Sequence, residues 1–259
     1  MLAAPRDGAT TSGEPQMALI DLANPTRFLA LTQRLLPWLT AATLVVLAAG
    51  LYLSATAPDD YQQGATVKIM FLHVPSAWLA MAIWGLMSLA ALGTLVWRHP
   101  LADVAGKAAV PIGAAFTLIC LVTGSLWGRP TWGTYWVWDA RLTSVLVLFI
   151  MYLAVMTLWR TIDDPSRAAR AAAVLTLVGT INLPIIKFSV DWWNTLHQPA
   201  SVLRAGGPTI DPSLLWPLLV MALAFLLMFI TLHLAVMRNE ILRRRVRTLS
   251  LMKAEAATA

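Results

Sequence analysis

Residues 214–237 read LLWPLLVMALAFLLMFITLHLAVM, an unbroken apolar run whose single ionisable side chain is His233. As a helix rising ~1.5 Å per residue it reaches roughly 36 Å, more than the ~30 Å hydrocarbon core of a bilayer. Five further runs of span length precede it: Pro37–Thr56, Pro75–Trp97, Lys107–Trp127, Leu142–Trp159 and Ala168–Val190. The 259 residues are 58% hydrophobic and only 12% charged, against roughly 25% charged in a typical soluble domain. That leaves too few charged side chains to cover a soluble surface. The sequence predicts an all-α integral membrane protein of six transmembrane helices.

Orientation follows from Lys and Arg, which concentrate on the cytoplasmic side of membrane helices. Arg6, Arg27 and Arg34 precede the first span, and Arg98 and Lys107 fall in or beside the second loop. Arg160, Arg167 and Arg170 mark the fourth, and Arg238, Arg243, Arg244, Arg245, Arg247 and Lys253 crowd the tail. The other three loops, with the span ends beside them, hold only Lys68, Arg129, Arg141, Lys187 and Arg204. Both termini are therefore expected in the cytoplasm, with the odd-numbered loops facing outward. Three regions follow. Residues 1–36 form a cytoplasmic segment with a short interfacial helix, Asn24 at its N-cap and Pro25 in its first turn. Residues 37–237 form the membrane domain, and residues 238–259 a basic cytoplasmic tail. Ala55-Thr56-Ala57 resembles a signal cleavage site, but the run before it is span-length, so it is expected to be retained.

Composition also excludes chemistry. One cysteine, Cys120, permits no internal disulfide or cysteine-rich metal site. P-loop, GxGxxG and HExxH motifs are absent from the sequence. The net charge of +6 is distributed as membrane topology rather than as a nucleic-acid footprint, so no nucleic-acid partner is expected. No nucleophile–base pair suggests an enzyme.

The third loop is the densest feature: WGRPTWGTYWVWDARLT, residues 127–143. Trp127, Trp132, Trp136 and Trp138 lie within twelve residues, with Tyr135 among them. An interfacial belt places one or two aromatics at each span end. Three Trp within one short loop favours a binding surface for a flat, membrane-partitioning ligand. Asp139 suits either the N-cap of span four or ligand contact. Arg129 and Arg141 suit either counter-charges for an anionic ligand or span anchors. In span five, Pro184 predicts a kink whose freed backbone Asn182 can serve. Lys187 either pairs with Asp191, which is favoured, or reaches toward an acidic ligand group.

Of four histidines, His73 lies in FLHVPSAW (71–78) and His197 in DWWNTLHQP (191–199). Each belongs to an odd-numbered loop flanking the Trp-rich one, within a few residues of a span end. His99 reads as solvated, and His233 lies toward the other face, outside this pair. Two neutral imidazoles on either side of an aromatic platform suggest axial ligation of haem iron. Two His alone would under-coordinate zinc, and no carboxylate cluster supports calcium.

Residues 127–143 resemble the tryptophan-rich "WWD" signature of the haem-handling membrane proteins of cytochrome c maturation. HVPSAW (73–78) and VDWWNTLHQP (190–199) resemble the two histidine motifs of the CcmC branch of that family. Length and span number agree with that branch. Tyr135 stands where some members have another Trp. The resemblance implies a multi-pass subunit of a bacterial inner membrane, its functional loops periplasmic, that holds haem b transiently at the outer face and passes it to a periplasmic haem chaperone, CcmE. It implies as partners the ABC transporter subunits CcmA and CcmB and the small membrane protein CcmD. It carries the axial ligands over to His73 and His197. The haem platform falls to Trp127, Trp132, Tyr135, Trp136, Trp138 and Asp139, with Arg129, Arg141 and Lys187 as candidate propionate counter-charges.

Two other function classes use parts of the same sequence. A small-molecule transporter would show inverted repeats and polar groups at mid-membrane. A scaffold subunit would use the Trp loop as a protein-docking patch.

Overall fold

The computed structural model describes residues 24–198 and 201–258; the expectations placed on residues 1–23, Arg6 included, fall outside that range. The described residues are helical without a β-strand. In chain order they form α1 (Pro25–Thr56), a 3₁₀ turn (Ala65–Ile69), α2 (Met70–Leu95), α3 (Ala102–Trp132), α4 (Ala140–Thr161), α5 (Pro165–Gly179), α6 (Asn182–Trp192) and α7 (Pro212–Thr258). With α5 and α6 counted as one broken helix, six helices are long and apolar enough to cross a membrane.

Local chemistry explains several helix starts. Asn24 Oδ1 accepts the Thr26 N–H at 2.9 Å and Pro25 occupies the first turn of α1. Asp139 Oδ1 accepts the Leu142 N–H at 2.7 Å at the head of α4. Each such cap contributes about 1 kcal/mol by satisfying an orphan amide. α1 then continues through Pro37 to Thr56 without a break.

Other boundaries differ from the sequence expectation. α2 starts at Met70 because the 3₁₀ turn feeds directly into it, so His73 is helical rather than in a loop. α3 runs on to Trp132, past its expected end at Trp127, and closes at Gly133. Gly133 has φ +78°, a left-handed conformation that favours glycine, and its N–H bonds Arg129 O at 3.0 Å. Span five breaks at Thr180–Ile181, one turn before Pro184. Proline crowds the carbonyl four residues earlier, here that of Thr180, and cannot donate to it. Asn182 Nδ2 meanwhile donates to Ser144 O in α4 at 2.8 Å.

α2 is the central helix, packed on α3, α5 and α7; α1 lies along α7, and α4 contacts α3, α5 and α6. Trp84, fully buried, donates to Thr176 O at 3.2 Å and meets the Tyr152 ring edge-on at 4.8 Å. Tyr152 in turn donates to Ala80 O at 2.8 Å. In lipid such interhelical bonds contribute about 0.6 kcal/mol each on average, so close fit carries more of the packing. Gly113 shows that fit: a Cβ there would stand 2.3 Å from the Tyr152 ring. Leu44, Val45, Leu89 and Val178 point outward and exposed, as expected of a helix bundle whose solvent is lipid.

Candidate functional site

At one end of the bundle, where α3 finishes and α4 begins, the structure gathers most of the chemically capable side chains. His73, in the first turn of α2, donates from Nδ1 toward Cys120 O and also lies 3.1 Å from Thr123 Oγ1. The imidazole packs edge-on to Trp127, ring centres 5.7 Å apart. Trp127 is itself fixed by its N–H, which donates to Gln63 Oε1 at 2.8 Å. Gly124 makes room, since a Cβ there would lie 2.8 Å from His73 Cε1.

His197 sits in the α6–α7 connection and is held in the same manner. Its Nδ1 lies 3.2 Å from Asp139 Oδ2, and its ring meets Trp132 edge-on at 4.9 Å. Asp139 thus has two tasks, one oxygen capping α4 and the other orienting the histidine. Burial pushes the His197 imidazole below its ordinary pKa of 6.5; the Asp139 carboxylate opposes the shift, and Arg141 adds to it. The ring therefore stays neutral at pH 7.

A proton on Nδ1 leaves a neutral imidazole with its lone pair on Nε2. Among the described residues no hydrogen bond engages Nε2 of either His73 or His197. The two rings come from different elements and each packs on a Trp of the same α3 end, His73 on Trp127 and His197 on Trp132. Each ring has one nitrogen anchored and the other unspent, the arrangement that fixes tautomer and raises basicity in metal-binding histidines.

The Trp-rich segment lies beside them. Trp136 and Trp138 meet edge-on at 5.5 Å; Trp138 is 75% exposed, whereas the Trp136 N–H is buried with no partner among the described residues. Buried donors are almost always paired. Trp136 therefore offers an unspent hydrogen bond within a wide aromatic surface. Tyr135 is exposed beneath the Arg129 guanidinium, 5.7 Å away, and Arg129 also donates to Gly133 O.

The remaining cations are placed less uniformly. Arg141 donates from Nε to Ser189 Oγ at 3.0 Å and from Nη2 toward Lys187 O at 3.5 Å, tying α4 to α6. Among the described residues Lys187 and Asp191 form no ion pair, so the expected i,i+4 pairing is absent there; the Lys187 carbonyl instead accepts from Arg141. The side chains that sequence reasoning missed are Gln63, Thr123, Gly124 and Ser189, along with the Cys120 carbonyl. All support a functional side chain rather than presenting one. No group of three or more His, Cys, Asp or Glu suited to a metal occurs among the described residues. Two His with an aromatic wall suit a metal that brings its own equatorial ligands.

A family model described as Heme exporter protein C matches residues 18–252. A protein of that name from Bradyrhizobium diazoefficiens is 79% identical over 238 residues, covering 92% of this chain and 90% of its own. Its namesake from Escherichia coli strain K12 is 49% identical over 225 residues, 86% of this chain and 91% of its own. That from Paracoccus denitrificans is 43% identical over 234 residues, 90% and 97% respectively.

Proposed function

Because this chain belongs to the Heme exporter protein C family, we propose that it binds haem between His73 and His197 and presents it for transfer. It is a multi-pass membrane protein of the haem-handling apparatus for c-type cytochromes. The site end faces the periplasm of a bacterial inner membrane, and both termini lie in the cytoplasm, as the distribution of Lys and Arg supports. The recipient is the periplasmic haem chaperone CcmE, with CcmA, CcmB and CcmD as the associated subunits.

One observation carries this reading: two imidazoles anchored through Nδ1 keep Nε2 unspent, on elements flanking one aromatic surface. Bound haem supplies the iron that accepts both lone pairs. The protein does the rest. Asp139 and the Cys120 carbonyl hold the rings, and Trp127 and Trp132 wedge them in place. Trp136 and Trp138 would pack on the macrocycle, and Tyr135 would add to that aromatic surface. The Trp136 N–H would have a hydrogen bond to give, and Arg129, Arg141 and Lys187 would supply positive charge for the propionates. The exposure of Trp138 and Tyr135 suits a donor that must also release its cargo. The site moves a ligand and leaves its bonds intact.

Visible absorption of the purified protein, co-expressed with the chaperone, tests the ligation. Wild type is expected to show six-coordinate haem, and His73→Ala/His197→Ala to lose it by more than about 100-fold, beyond what removing an orienting partner costs. An unchanged Soret band in the double variant would discard axial ligation by this pair. Transfer is read separately: Trp132, Trp136 and Trp138 all replaced by Ala should lower chaperone loading even where some haem remains. Wild-type loading would reduce those Trp to a membrane belt.

A further inference from the structure

α1 lies antiparallel along α7, and its contacts record the register. A Cβ at Gly50 would press on Met221, and Thr43 Oγ1 lies 3.0 Å from Thr231 Oγ1. Arg238 donates to Leu29 O at 2.8 Å, and Arg245 to Thr26 Oγ1 at 2.6 Å. Each step toward the start of α1 is thus a step toward the end of α7. The pairing stops where α1 does, at Pro25, but α7 continues past Arg245 to Thr258.

The uncovered part of that face is apolar. Arg238, Arg245, Leu249 and Met252 follow one another at helical spacing and share one side of α7. α1 covers that side as far as Arg245. Beyond it Leu249 is 65% exposed and Met252 60%, with Val246 beside them at 63%. The charges alongside divide. Arg243 and Arg244 meet Glu240, and Arg244 also meets Asp103. Arg245 and Arg247 meet no carboxylate among the described residues.

Depth excludes lipid as the cover. The apolar run of α7 ends at Met237, and Leu249 and Met252 lie roughly 18 and 22 Å further along the helix. The polar zone of a bilayer is only about 5–8 Å thick on each side. A second copy of the chain would set Arg243, Arg245 and Arg247 against their own likenesses, and like charges across a contact repel. Residues 17–23, MALIDLA, have the matching chemistry: Met17, Leu19, Ile20 and Leu22 are apolar and Asp21 is acidic. They join α1 through Asn24, two residues from the Thr26 that Arg245 holds. Leu22, four residues before Thr26, can reach up to ~14 Å from it. Leu249 stands only about 6 Å beyond Arg245.

We propose that residues 17–23 dock on this face of α7, Leu22 against Leu249 and Leu19 against Met252, with Asp21 paired to Arg245. The docked segment carries the antiparallel α1–α7 contact beyond the membrane and closes the face that α7 otherwise leaves open. It is separate from the histidine pair, and its docking does not depend on haem.

Distances between two spin labels on the full-length protein in lipid nanodiscs test it. One label goes on Ala18 and one on Ser250, with Cys120 replaced by Ala so that no native thiol takes label. Ser250 is one residue round the helix from Leu249, off the contact face. Packed elements stand ~8–10 Å apart, so the otherwise unaltered chain is expected to give one narrow distance near ~20 Å once the label arms are added. Six residues of undocked chain would spread it over more than ~10 Å. Leu249→Asp/Met252→Asp should produce that spread, and since both positions are exposed the packed core is undisturbed. Asp21→Arg should broaden it too, and Asp21→Arg/Arg245→Asp should narrow it again. A broad distribution before any of these changes would overturn the proposal, as would a narrow one that survives Leu249→Asp/Met252→Asp. A narrow distance lost on dilution with unlabelled protein would overturn it in favour of a second copy. No recovery on exchanging the two charges would overturn the Asp21–Arg245 pairing.

Discussion

His73 and His197 spend Nδ1 on the protein and keep Nε2, whereas His233, at the opposite end of the bundle, spends Nε2 on Ala105 O at 2.9 Å and stacks on Phe229 at 5.2 Å. The charges around them divide in the same way. Beside His233, Lys107 pairs with Glu240 at 2.8 Å, and Arg244 bridges Glu240 and Asp103. At the histidine-pair end the Trp136 N–H is buried and unmatched among the described residues, and Trp138 lies open. Residue type alone does not separate a ligand from a strut. The difference lies in which nitrogen the fold has already used.

The largest break in that comparison short of deleting a histidine comes from Gly124→Ala. A Cβ there would press on the His73 ring from 2.8 Å, turning Nε2 away while both imidazoles remain. Haem affinity should fall roughly 10–100-fold, the range for disturbed ligand orientation, while the Trp84–Tyr152 core stays intact. Wild-type haem titration in this variant would remove His73 from the site. A narrower test divides the two tasks of Asp139. Asn caps a helix as well as Asp does, so Asp139→Asn should keep thermal stability and lose about tenfold in haem affinity. Asp139→Ala should lose both, with about 1 kcal/mol from the cap. Equal haem affinity in wild type and the Asn variant would make Asp139 a cap alone.

What was legible in the sequence depended on distance along the chain. Asn24 and Asp139 cap amides two and three residues ahead, so their helix starts could be read locally. The Trp cluster and the flanking histidines stood out by residue type and density. Their supports did not, because His73 leans on Cys120 and Thr123, 47 and 50 residues away, and Trp127 on Gln63, 64 residues away. Glycine at 124 carries no local mark of the ring it accommodates. The extension of α3 to Trp132 was hidden similarly: Gly128 lets the Trp132 ring and the Thr134 carbonyl close over it, contacts that exist only once the connection has folded. The Lys187–Asp191 pairing failed because spacing reports which side chains can share a face, not that Arg141 of α4 would bond Ser189 and the Lys187 carbonyl of that same helix.

Acid provides a subtler test. Burial depresses the His197 pKa below 6.5, so between the folded and unfolded values the unfolded chain holds a proton that the folded one lacks. Stability from this residue is present above pH 6.5 and falls as pH drops through the window beneath it. Ligation follows the same direction, since a protonated imidazole has no lone pair to give. The six-coordinate spectrum should hold from pH 8 down to 6.5 and decline below, and a change centred above 6.5 would exclude His197 as ligand.

The smallest effect should come from His233, and its smallness is informative. His233→Asn removes an imidazole from a membrane helix, where an ionisable side chain is a functional candidate by default. Its Nε2, however, is already committed to the Ala105 carbonyl, and its ring lies against Phe229. Interhelical hydrogen bonds of this kind contribute about 0.6 kcal/mol, and Asn can supply a replacement donor. Thermal unfolding should therefore shift by only a few degrees, with haem titration unchanged. A haem loss comparable to that of His197→Ala would bring the two ends of the bundle into one pathway. It would mean that the Ala105 contact opens during turnover and frees a third nitrogen for iron.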